Sequence, residues 1–106
     1  MDLEELNYEL SKIRERLNKM CSKYGRVVQN ACKEYMNSVD ELVEAISSGN
    51  VTKALISASL AGHDVSFIRR NVSDDDARTL LDIDTKIYYL IDEYLEDNWE
   101  ITRKLR

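Results

Sequence analysis

The chain has 106 residues, 43% of them hydrophobic and 33% charged, with a net charge of −5. That size and balance fit one globular domain over residues 1–106 and argue against a disordered chain. The negative total argues against nonspecific nucleic-acid binding through the whole surface. The absence of Pro and the presence of only three Gly favour long helices.

From Leu3 the apolar residues run Leu3, Leu6, Leu10, Ile13, Leu17, Met20, Tyr24 and Val27. Alternating steps of three and four make this a heptad seam with charged flanks, which predicts a helix with a narrow, coiled-coil-like stripe. The seam resumes through Val28, Ala31, Tyr35, Val39, Leu42 and Ile46, with a stutter beside Gly25. One Gly inside a helix costs only about 1 kcal/mol. The favoured reading is therefore a continuous or kinked helix from about Leu3 to Ser48, about 69 Å long. The alternative is a break near Gly25. Cys21 and Cys32 discriminate between the two. On one helix their Cα atoms would be about 16 Å apart, and a disulfide needs less than about 7 Å. A hairpin centred near Arg26 would bring them level.

Ser47-Ser48-Gly49-Asn50 ends this apolar run and begins another. Gly49 suits the left-handed position after a helix, and Asn50 suits the cap of the next. The following segment, Val51 to about Arg70, carries Ala54, Leu55, Ala58, Ala61, Val65 and Ile68 at steps of three and four. Its small residues permit close approach of a neighbour. Ser73 before Asp74-Asp75-Asp76 is a helix-start signal, with acids at the positive helix end. The last helix runs to about Arg103. Its wide stripe, from Leu80 through Ile83, Ile87, Ile91 and Tyr94, predicts that it is the best-buried element.

The fold expected is all-α: an antiparallel bundle of three or four helices with a long N-terminal helix. A narrow, long seam points to a homodimer. No stretch has the roughly 18 apolar residues of a membrane span. The acidic start lacks a signal-peptide pattern, and two cysteines make no disulfide framework, so the cytoplasm is expected and a membrane is not.

Charge is unevenly spread. Residues 12–33 hold Lys12, Arg14, Arg16, Lys19, Lys23, Arg26 and Lys33 against Glu15 alone. Residues 74–100 hold ten carboxylates against Arg78 and Lys86. The simplest reading sets the two segments side by side. The sharper one makes Lys12, Arg16, Lys19, Lys23 and Arg26 a polyanion-binding face. Among the aromatics, Tyr88 and Tyr89 cannot both face one core, so Tyr89 beside Trp99 is a candidate protein-partner surface.

Neither cysteine nor His63 has a partner at ligand spacing, so no metal, cofactor or catalytic residue is expected from them. Glu41-Leu-Val-Glu44 and Glu93-Tyr-Leu-Glu96 place paired carboxylates on helices. They resemble the all-helical nucleotide pyrophosphohydrolases, whose motif pairs Glu-x-x-Glu with a later Glu-x-x-Asp. The resemblance implies Mg²⁺-dependent hydrolysis, but the second pair here ends in Glu. The central hairpin, about residues 35–68, resembles a family of short archaeal helical proteins without assigned function. It has Gly49-Asn50 where that family has Gly-Asp, then Ala54, Ser59, Ala61 and Val65 at matching offsets. Leu60-Ala61-Gly62-His63 stands where the family has Tyr-Ala-His-Gly. The resemblance implies a helical hairpin and no chemistry.

Three functions follow in order of expectation. The first is a non-enzymatic interaction and oligomerisation module acting through the N-terminal seam, with a protein partner or a second copy. The second is a small helical subunit of a nucleoprotein complex, and the third an Mg²⁺-dependent nucleotide hydrolase.

Overall fold

The protein is described by a computed structural model covering residues 1–98 and 100. Among the described residues four helices follow one another: α1 (Leu3–Cys21), α2 (Arg26–Ser48), α3 (Val51–Arg70) and α4 (Asp74–Asp97). No strand occurs among the described residues. No helix there is long and apolar enough to cross a membrane.

The expected helix from Leu3 to Ser48 does not form. The chain leaves α1 after Cys21, turns through Ser22–Gly25 and starts α2 at Arg26. Gly25 caps α2 in an extended conformation (φ −73°, ψ −179°). Cys21 and Cys32 then lie level across the hairpin and form a disulfide, with 6.7 Å between their Cα atoms. The molecule measures 42 × 24 × 18 Å, well short of a 69 Å rod.

The other boundaries follow local chemistry. Gly49 takes the left-handed conformation (φ 71°), and its N–H bonds back to the end of α2. Asn50 caps α3 by accepting from the Lys53 N–H at 3.0 Å. Ser73 caps α4 by accepting from the Asp76 N–H at 3.2 Å.

Cross-helix contacts fix the directions. Arg14 meets Asp40 and Cys21 meets Cys32, so residue numbers rise on α1 as they fall on α2. Arg16 meets Asp82, and the Asn98 amide reaches the Met1 carbonyl, so α1 and α4 are antiparallel. Lys53 meets Glu44 on the antiparallel α2–α3 pair. Tyr35 meets Asp84, and Tyr94 meets Ser47, which makes α2 and α4 parallel. The result is an up-down-up-down bundle with the first and last helices adjacent.

The core gathers Leu6, Leu10, Ile13, Leu17 and Met20 from α1 with Leu80, Ile83, Ile87, Ile91 and Tyr94 from α4. The N-terminal seam is thus consumed inside its own bundle. The best-buried helix is α2, not α4: it buries both faces flanking Tyr35, Val39, Leu42 and Ile46. Leu81 of α4 is exposed.

Candidate functional site

The α1–α2 turn is tied to the start of α4. The Tyr24 hydroxyl accepts from the Ser73 N–H at 2.9 Å and donates to the Asp76 carboxylate. Lys23 donates to the other Asp76 oxygen at 2.8 Å. Asp76 is buried, yet these donors hold its carboxyl below the usual range, Lys23 first and Tyr24 second. The acidic triplet signals a helix start in the sequence. That Asp76 is also an anchor depends on residues 52 and 53 positions away.

Arg14, Arg16, Lys12 and Lys23 lie beside acidic partners. Arg14 bonds Asp40 at 2.7 and 2.6 Å, a contact to α2. Arg16 pairs with Asp82 at 2.9 Å and Lys23 with Asp76 at 2.8 Å, both contacts to α4. Lys12 pairs with Glu9 at 3.1 Å and lies 4.5 Å from the Tyr8 ring centre. Arg16, Lys19 and Lys23 nevertheless line one concavity of about 440 Å³ between α1 and α4, with Ser22 and Thr79 on its walls. Lys12 and Arg26 do not line it.

A second concavity, about 450 Å³, lies along the α2–α3 seam and is lined by Val27, Asn30, Glu34, His63, Asp64 and Phe67. It is followed along the same seam by a hollow edged by Glu34, Glu41, Leu60 and Asp64. Burial pushes the Asp64 carboxyl up, the Glu34 charge adds to that, and His63 opposes it. His63 is exposed at the rim.

The outer side of α3 is the least expected surface. In the second half of α3 Val65 and Ile68 turn inward, but in the first half the inward positions are small, Ala54, Ser57, Ala58 and Ala61, while Leu55 (67% exposed), Ile56 (56%) and Leu60 (48%) face solvent. Ser59 stands among them and is exposed too. Sequence periodicity places Leu55 on the buried stripe. It does not show that the inner side of this half of α3 is filled by Ala and Ser.

Tyr89 is exposed (70%) as expected, and Tyr88 is exposed beside it. Trp99, the other half of that surface, and Arg103 lie outside the described residues. Tyr35 is fully buried and donates to Asp84 at 2.6 Å. Burial first and the hydrogen bond to the Asp84 carboxylate next push its phenol well above the ordinary range.

No three His, Cys, Asp or Glu side chains converge on a common point among the described residues. Glu41, Glu44, Glu93 and Glu96 are all exposed, and Glu44 is paired with Lys53 at 3.3 Å. No protein-family model, curated protein or solved structure matches the chain.

Proposed function

We propose that the chain is a non-enzymatic helical interaction module that pairs with a second copy through the outer face of α3. One observation carries this reading: the first half of α3 turns Ala54, Ser57, Ala58 and Ala61 inward and Leu55, Ile56 and Leu60 outward. Scattered exposed apolar residues are normal on a protein surface. A contiguous group on one helix, rimmed by polar side chains, has the character of an interface.

Charge favours self-pairing. Arg69 and Arg70 stand at one end of α3, while Glu41 and Glu44 stand on α2 beside its other half. A two-fold axis near Leu60 lays the basic end of one α3 across the acidic edge of the other copy, so one surface is complementary to itself. The 20 residues of α3 make a strip about 30 Å long. With the flanking edge of α2 that is the scale of the roughly 800 Å² each partner contributes to a typical interface. The seam of α1 has no part in this pairing.

Sedimentation tests it. The wild-type chain is expected to dimerise in the micromolar range. Leu55→Glu with Ile56→Glu is expected to give a monomer of unchanged helicity and melting temperature. A wild-type chain that stays monomeric throughout that range overturns the reading.

The concavity holding Arg16, Lys19 and Lys23 supports a second reading, a polyanion-binding subunit of a nucleoprotein complex. It predicts salt-sensitive RNA or DNA binding that Lys19→Glu weakens. No binding at low salt ends that reading.

A further inference from the structure

We infer that α1 is a detachable helix, held to its own bundle by the Cys21–Cys32 disulfide and exchanged with a second copy of the chain when that bond is reduced. The inference goes beyond the α3 pairing and uses a different surface.

The evidence lies in the hinge. Ser22–Gly25 separates two helices whose apolar seams nearly join, because Tyr24 and Val28 continue the spacing of Leu17 and Met20. Only Gly25 resists a helix through this stretch. Gly25 is exposed, and a Cβ there meets nothing within 4 Å. Two arrangements are therefore open to the same residues. In one, the chain turns and α1 covers its own core. In the other, residues 3–48 form a single helix and α1 reaches into a neighbouring bundle. Every core contact of Leu6, Leu10, Ile13, Leu17 and Met20 is then remade with the partner, as are the Arg14–Asp40 and Arg16–Asp82 pairs. Exchange of identical elements costs little in contacts, which is why hinges of this kind permit it.

The disulfide separates the two arrangements. Along a continuous helix the two Cα atoms are about 16 Å apart, beyond the span of one bond. With the disulfide closed, only the hairpin is allowed. A dithiol reductant supplies two electrons and two protons, the S–S bond breaks to two thiols, and the reductant leaves as its own disulfide. The turn is then held by Tyr24 and Lys23 on Ser73 and Asp76. In the exchanged dimer Cys21 of one copy sits where Cys32 of the other can meet it. Reoxidation by glutathione disulfide, which leaves as two glutathione thiols, then links the copies.

The test uses the full chain carrying Leu55→Glu and Ile56→Glu, so that α3 pairing does not contribute. The protein is reduced until two thiols per chain titrate, concentrated, reoxidised with glutathione disulfide and run without reductant. A covalent dimer with Cys21 of each copy bonded to Cys32 of the other is expected, located by peptide mapping. Gly25→Ala, which removes the helix penalty at the hinge, is expected to raise the dimer's association constant ~fivefold per hinge. Protein that was never reduced is expected to show no link between chains. Recovery of the internal loop alone in both wild-type and Gly25→Ala hinges overturns the inference, as does a dimer joined Cys21 to Cys21 or Cys32 to Cys32. A linked dimer in this variant, with an unreduced wild-type chain that stays monomeric in sedimentation, overturns only the earlier reading.

Discussion

The α2–α3 pair and the α1–α4 pair solve the same packing problem differently. Between α2 and the first half of α3 many buried or half-buried residues are small: Ala31, Ser38 and Ala45 at seven-residue spacing on α2, and Ala54, Ser57 and Ala61 on α3. This pair shares the most extensive contact among the described helices. Between α1 and α4 the contact is made by Leu, Ile and Met side chains, flanked by Arg16–Asp82 and Lys23–Asp76. Leu55 and Ile56 lie on the outer side of α3, and Leu60 edges the hollow beside Glu41. The wider α1–α4 spacing takes its large side chains inside and leaves a mostly charged exterior. The same apolar content therefore makes core in one pair and surface in the other.

Four substitutions bear on this contrast. Leu17→Ala removes a fully buried side chain from the wider pair. A cavity there costs about 2–5 kcal/mol, read as a lower urea midpoint. Ala61→Leu overfills the close seam, where Ala61 is buried. A loss of about 1–3 kcal/mol is expected, with a shift in the α2–α3 distance. If Ala61→Leu is neutral and Leu17→Ala costly, the seam is looser than described here.

Asp76→Asn tests the electrostatic side of the wider pair. The folded carboxyl is held low by Lys23 and Tyr24, whereas an unfolded Asp titrates near 3.9. Its contribution is therefore present above that value and is lost as pH falls through the folded value. Wild type is expected to lose stability in acid that Asp76→Asn already lacks at neutral pH, so the two stability–pH curves converge at low pH. Parallel curves would remove Asp76 from the account. Arg16→Gln is the smallest effect. Its pair with Asp82 is exposed on both sides, and such pairs are worth about 0–1 kcal/mol. A larger loss in chemical denaturation would show the ion pairs doing more than flank the core.

Much of the fold is legible where chemistry is local. Gly49-Asn50 and Ser73-Asp76 mark their boundaries because a cap acts on backbone within four residues. The pairing of Arg16 and Lys23 with carboxylates of α4 is legible from the charge asymmetry, whereas that of Arg14 with Asp40 of α2 is not, and three of the five basic residues singled out in the sequence share a concavity. The break at Ser22–Gly25 is not legible. Its residues tolerate a helix, and the bonds that fix the turn go to Ser73 and Asp76, far along the chain. The outward face of α3 is missed for a related reason. A period of 3.6 says which residues share a side, while the distance to the neighbouring helix decides which of them fit inside.

The ring closure between α1 and α4 has a consequence for the order of folding. The bend at Gly49–Asn50 joins α2 to α3 directly, so that pair meets after a small loss of chain entropy. The α1–α4 contact joins positions 53 and 97 residues apart, as in Lys23 with Asp76 and Met1 with Asn98. Topology thus favours a nucleus in the α2–α3 hairpin, with α1 closing onto α4 late. In stopped-flow kinetics Ala61→Leu is expected to slow folding, and Leu17→Ala to act chiefly by speeding unfolding.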